Sequence, residues 1–217
     1  MRFRDRSEAG RLLASRLKEF AGQPETLVLA LPRGGVPVGF ELANALGVPL
    51  DVFVVRKLGV PGQEELAMGA IASGGVRVLN YPAIAALAIP EAAIAAVEAV
   101  EARELYRREE LYRGPRPPLE VGGRKVILTD DGVATGSTMR AAIAALRQRQ
   151  PESIVLAIPV AAPATCRQLQ EEADRVVCLS TPEAFSAVGQ WYDDFGQVGD
   201  AQVRDWLERA GRMRAAS

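Results

Sequence analysis

Histidine is missing from all 217 residues of the chain. That excludes Ser-His-Asp and Cys-His nucleophilic machinery and every His-ligated metal centre. Cysteine is nearly missing: Cys166 and Cys178 are the only two, too few for a disulfide framework or a thiolate metal site. Cys178 falls in an apolar strand-like run and Cys166 on an expected helix, so both read as small hydrophobes. No apolar run reaches the roughly 18 residues of a membrane span. The opening Met1-Arg2-Phe3-Arg4-Asp5-Arg6 lacks a signal peptide's apolar core. Both absences point to the cytoplasm and away from a membrane. A charge excess is lacking too, and the net −1 weighs against nucleic acid bound through a broad basic field. Carboxylates, Arg, Lys, hydroxyls, backbone amides and a bound cation remain to do chemistry.

What is present is a chain long enough for one sizeable core, with 48% hydrophobic residues, expected to form a single domain. Its most informative stretch is Val126-Ile127-Leu128-Thr129-Asp130-Asp131-Gly132-Val133-Ala134-Thr135-Gly136-Ser137-Thr138. The first four residues read as a buried strand. Asp130 and Asp131 stand at its C-terminal end, where open α/β sheets bind ligands. Two adjacent carboxylates repel each other and contribute nothing to a core, so a purely structural role is hard to supply. The Gly/Thr/Ser loop and the helix from Met139 to Leu146 offer backbone N–H groups, hydroxyls and a positive dipole end to a phosphate. Phosphate at one end and a diol at the carboxylates describes a sugar phosphate.

Taken in order, Ser7 to Phe20 predicts an amphipathic helix capped by Ser7. Thr26 to Leu31 predicts a buried strand, then Pro32-Arg33-Gly34-Gly35 and a helix from Val36 to Leu46. Consecutive glycines let backbone approach an anion, and Arg33 adds donors. Asp51 to Val55 predicts a second buried strand ending in Arg56-Lys57. Leu58 to Glu65 reads as a mobile loop, and Ala67 to Asn80 as a β-hairpin turning at Ser73-Gly74-Gly75. Pro90 opens a long helix through about Tyr112, with Ile94, Val97, Leu105 and Leu111 as its apolar stripe and charges from Glu101 to Arg113 reading as a solvated face. Strands at Ser153–Val160 and Arg175–Leu179 flank a helix from Pro163 to Ala173. This alternation predicts a parallel α/β sheet. Phe185, Trp191, Tyr192 and Phe195 then crowd a weakly periodic tail, before a helix from Val203 to Arg212 assigned to a subunit contact.

The string from Val126 to Thr138 resembles the phosphoribosyl-diphosphate (PRPP) motif of the type I phosphoribosyltransferases: a hydrophobic strand, two acids, a small loop, then Thr-Gly-x-Thr. Pro32-Arg33-Gly34-Gly35 resembles that family's pyrophosphate loop, which often carries a non-proline cis peptide. The likeness is to the group of predicted phosphoribosyltransferases more than to any named salvage enzyme. It implies the family's parallel sheet flanked by helices, with a hairpin and flexible loop, a core over about 3–179, a helical insertion over about 83–118 and a C-terminal hood over about 180–217.

The resemblance further implies that Val133, Ala134, Thr135, Gly136, Ser137 and Thr138 hold the 5-phosphate, and that Asp130 and Asp131 accept from the ribose hydroxyls. Arg33, Gly34, Gly35, Arg56 and Lys57 would neutralise pyrophosphate, with Lys57 also catalytic. Mg²⁺ would be held largely by the substrate, with Asp130 and Asp131 facing it indirectly. The implied reaction passes the phosphoribosyl group to a nitrogenous acceptor, such as a nucleobase, in a homodimeric enzyme. The aromatic tail reads either as a base-stacking hood or as an anchor, and Asp131 or Asp193 as a general base. A PRPP sensor without turnover is the competing reading. A generic Rossmann or P-loop nucleotide binder is disfavoured because neither glycine fingerprint occurs.

Overall fold

The computed structural model describes residues 1–215. Five short apolar strands form one all-parallel sheet: β1 (Thr26–Ala30), β2 (Leu50–Val52), β6 (Lys125–Thr129), β7 (Ser153–Val160) and β8 (Arg175–Ser180), in the order β2-β1-β6-β7-β8. All five residues of β1 are buried, as a strand covered on both faces requires. Alternate residues serve opposite cores. Val28, Ile127 and Val155 meet α1 (Arg6–Ser15) and α2 (Gly35–Leu46) on one face. Leu29, Leu128 and Leu156 meet α5 (Ser137–Gln148) on the other.

The chain therefore winds outward in both directions from the β1–β6 pair, with Ala30 opposite Thr129 at the carboxyl edge. The loop after β1 and the loop after β6 leave the sheet side by side while their helices diverge. A crevice opens at such a switch point.

A second sheet is antiparallel: β3 (Val55–Val60), β4 (Gln63–Ala72) and β5 (Val76–Leu79), in the order β3-β4-β5. The hairpin with its Ser73-Gly74-Gly75 turn forms as expected. The mobile loop expected over Leu58 to Glu65 does not. Val60 pairs with Gln63 across Pro61-Gly62, where Gly62 has φ 78°, and Leu58 and Val60 are buried. Alternating burial outweighs the Gly/Pro content that suggested a loop. Arg56 and Lys57 are corrected with it: they lie on β3 of this second sheet, not at the end of β2.

Helix α3 (Tyr81–Ala86) leads to α4 (Glu91–Arg113), which packs Ile94, Leu105 and Tyr112 into a core shared with β3, β4 and α7 (Asp200–Ala215). Its charges are more than a solvated face. Arg113 forks onto Asp51 at 3.0–3.2 Å, and Glu101 holds Arg56 at 2.6 Å. The apolar face of α7, Val203 and Leu207, is buried inside the chain. Helix α6 (Pro163–Glu172) completes the layer beside α5, and α1 is capped by Asp5, which accepts from the Glu8 amide, not by Ser7. No helix among the described residues is long and apolar enough to cross a membrane.

Candidate active site

The two loops of the switch point touch through glycine. A Cβ on Gly34 would lie 2.1 Å from Asp131 Oδ2, and one on Gly35 would lie 2.8 Å from the Thr129 carbonyl oxygen and 2.9 Å from Asp130 Cα. Only residues without side chains let the first loop close onto the carboxylate pair. The Pro32–Arg33 peptide is cis. Arg33, partly exposed beside them, faces Asp200 Oδ1 at 3.7 Å, and the same oxygen accepts from the Tyr112 hydroxyl at 2.6 Å. Burial and that bond push the Tyr112 hydroxyl up to about 12.

Asp130 Oδ1 accepts the Asp131 amide at 2.8 Å. Asp131 Oδ2 accepts from Arg6 Nε at 2.8 Å and is ion-paired with Nη2 at 2.8 Å. Among the described residues Asp130 Oδ2 and Asp131 Oδ1 receive no hydrogen bond, so each carboxylate keeps one oxygen in reserve. Burial, then the neighbouring Asp131 charge, pushes Asp130 well above the carboxylate range. Burial raises Asp131 as well, against the pull of the Arg6 guanidinium.

The loop after β6 is braced from below. Val133 is tied to Val160 and Ala162 through backbone bonds, and Thr165 Oγ1 donates to the Ala134 carbonyl at 2.6 Å. Gly136 adopts φ 77° against the Thr165 side chain. Thr135, Ser137 and Thr138 stand exposed at the N-terminus of α5, whose cap residue Gly136 has no side chain to offer and whose Ser137 amide has only Thr135 Oγ1 at 3.5 Å. That leaves amide donors and the positive dipole end open to an anion.

The hood is built from both ends of the chain. Phe3 bridges Tyr192 in parallel fashion, with Phe3 N donating to Trp191 O and Asp193 N to Phe3 O, each at 2.8 Å. Phe185, Trp191 and Tyr192 pack with Phe3 and Val160 as an anchor, and the Tyr192 hydroxyl donates to the Asp131 carbonyl at 2.6 Å. Phe195 alone reaches the cleft, and its ring is covered by Tyr192 (centroids 5.1 Å apart) and by the Arg6 guanidinium at 3.9 Å. The aromatic tail is therefore chiefly an anchor. A cavity of about 330 Å³ lies between hood and loops, bordered by Arg6, Arg33, Gly34, Asp131, Phe195 and Gln197.

The structure thus gathers Arg33, Gly34, Gly35, Asp130 and Asp131, with Val133 to Thr138 on the adjoining loop. Arg56 and Lys57 do not border the cavity. Arg56 is engaged with Glu101, and Lys57 lies on β3 opposite Ala70. Asp193 pairs with Arg2 at 2.7 Å, with both side chains exposed. Arg6 and Asp200 were missed in the sequence, because each meets the site only through contacts more than 120 residues away in sequence. Cys166 is buried and burial pushes the Cys178 thiol up to about 12, in keeping with inert cysteines.

A family model for the phosphoribosyl transferase domain matches residues 6–195. The chain belongs to the phosphoribosyl transferase family. A Mycobacterium tuberculosis protein provisionally named a phosphoribosyl transferase is 48% identical over 210 residues, covering 97% of this chain and 47% of that protein. The chain thus spans about half the length of such curated relatives. The crystal structure of TT1426 from Thermus thermophilus is 44% identical, covers 96% of this chain and 99% of its own, and superposes with a TM-score of 0.88. A uracil phosphoribosyltransferase of Clostridium botulinum is 32% identical over 102 residues, 44% of this chain and 49% of that protein.

Proposed function

We propose that this phosphoribosyl transferase chain moves the 5-phosphoribosyl group between PRPP and a nitrogenous acceptor, a nucleobase or related compound, with release of pyrophosphate. The observation that carries the reading is the contact of the Gly34-Gly35 loop with the Asp130–Asp131 pair, beside the uncapped start of α5. Three functions are then assigned along these two loops. The loop from Val133 to Thr138 takes the 5-phosphate, the free oxygens of Asp130 and Asp131 accept the two ribose hydroxyls, and Arg33 with the Gly34 and Gly35 backbone receives pyrophosphate. Arg56 and Lys57 would have to reach the pyrophosphate from β3, Arg56 by leaving Glu101.

Catalysis on this reading is positional and electrostatic. The C1–O bond breaks with its electron pair leaving on pyrophosphate, where the Arg33 cation takes up the charge. The buried carboxylates, costly to ionise alone, stabilise the positive charge developing on the ribose. The acceptor nitrogen's lone pair then forms the new bond to C1, and the proton that nitrogen sheds passes to the departing pyrophosphate. No group of three or more metal-binding side chains occurs among the described residues. Two carboxylates beside a phosphate-rich substrate fit Mg²⁺, which keeps several non-protein oxygens. When bound, Mg²⁺ would neutralise pyrophosphate charge, with Asp130 and Asp131 facing it.

The deciding experiment is pyrophosphate release from PRPP with Mg²⁺, screened across pyrimidines, purines and simpler nitrogen acceptors. Release that depends on one acceptor is expected. Asp130→Asn combined with Asp131→Asn should lower turnover by roughly 10²–10³ without unfolding the chain. Unchanged turnover in that variant would sink the diol assignment. Tight PRPP binding without release in the wild type would make the chain a sensor instead.

A further inference from the structure

We propose that Arg6 is a positioning residue that sets the diol carboxylate and the hood as a single unit. The proposal rests on the donor-site reading above and adds a residue to it. Arg6 is the first residue of α1, yet its side chain is only 11% exposed and spans three parts of the cleft. Nε donates to Asp131 Oδ2 at 2.8 Å, Nη2 forms an ion pair with the same oxygen at 2.8 Å, Nη1 donates to the Gly196 carbonyl at 2.8 Å, and the guanidinium carbon sits 3.9 Å from the centre of the Phe195 ring.

The consequence for Asp131 is geometric. Its amide is held by Asp130 Oδ1 and its carbonyl by the Tyr192 hydroxyl. With Arg6 fixing Oδ2, the carboxylate cannot rotate, and Oδ1 is the oxygen it presents. Arg6 therefore decides which oxygen faces a ribose hydroxyl, although it need not touch the ribose itself. A planar fork is required for this, because a lysine concentrates its donors on one nitrogen and cannot reach Asp131, the Gly196 carbonyl and the face of Phe195 together.

The consequence for the hood follows from the same side chain. The Gly196 carbonyl and the Phe195 ring move with Arg6, so ordering Asp131 orders the segment from Trp191 to Gly196. By linkage, if an ordered hood strengthens ligand binding through Arg6, the bound ligand favours the ordered hood by the same coupling free energy.

The test compares wild type, Arg6→Lys and Arg6→Gln, reading kcat and KM for PRPP together with amide hydrogen exchange over 191–196. In Arg6→Gln the KM for PRPP should rise about tenfold or more, since small misplacements of a positioning group are costly. PRPP should also cease to slow exchange in the hood. Arg6→Lys should fall between, keeping charge but losing the fork, and it decides the matter if Arg6→Gln does not fold. A folded variant with wild-type KM and wild-type protection of 191–196 overturns the role of Arg6. A fall in kcat alone, in proportion to the folded fraction, overturns it too, by making Arg6 structural. A wild type that neither binds nor cleaves PRPP overturns the donor-site reading, and this role with it.

Discussion

On the sheet side of the cleft, each part directly follows its own strand and is placed by backbone. Gly34 and Gly35 follow β1 directly, Asp130 and Asp131 follow β6, and the two strands are neighbours in register. On the hood side, the parts lie at opposite ends of the chain, and beyond the Phe3–Tyr192 backbone bridge they are tied to the cleft by side chains, with Arg6 and Gly196 190 residues apart and Arg6 and Asp131 125 apart. Backbone placement tolerates no added atom, whereas side-chain placement fails one hydrogen bond at a time. A mutation on one side should therefore act through steric displacement, and on the other through graded loosening.

Gly34→Ala should break the sheet side most. A methyl group 2.1 Å from Asp131 Oδ2 forces the loop or the carboxylate to move, at about 1–3 kcal/mol of stability. Pyrophosphate release should fall by about 10²-fold with it. Thermal melting and turnover measured on one preparation check both. Wild-type turnover in this variant would mean the loop is not held where the contact suggests.

Tyr192→Phe should show the milder, graded response of the hood. The ring keeps its packing on Phe3 at 5.4 Å and loses only the bond to the Asp131 carbonyl. A loss of about 1 kcal/mol in denaturant unfolding is expected. A loss as large as that of Gly34→Ala would erase the contrast between the two sides.

The smallest effect concerns the link between them, where Tyr112 steadies Asp200 opposite Arg33. The folded chain holds the Tyr112 proton more tightly than the unfolded chain, with the hydroxyl pushed up to about 12 from 10. Its contribution to stability is therefore present in full below about pH 10 and lost as pH rises toward 12. Tyr112→Phe should flatten the decline of stability with pH in that window. Parallel unfolding curves for the two chains would remove Tyr112 from the account.

How much of this could be read from the sequence follows the same division. The string from Val126 to Thr138 and the pair Gly34-Gly35 were legible because turn chemistry and strand ends leave local marks. The strand Ser153–Val160 was readable to the residue, since an unbroken apolar run of that length belongs in a sheet covered on both faces. Leu58 to Glu65 was misread because Gly and Pro also serve bulges and two-residue turns: Gly59, opposite Ala67, sits between two register shifts with the Glu64 backbone close against it. Arg6 could not be found at all. An arginine opening an amphipathic helix looks like any solvated charge until the fold brings Asp131 to it.

The Phe3–Tyr192 bridge also bears on the order in which the molecule is assembled. It closes a loop of almost the whole chain. Loop entropy grows only with the logarithm of length, so this closure costs about 1 kcal/mol more than one a third as long. The equilibrium penalty is modest, but the timing is not neutral, because contacts of such high sequence separation form after nearer ones have reduced the search. The sheet and both anion-binding loops can be complete while the first six residues are still unattached. The hood is then the last wall raised, over a floor already built.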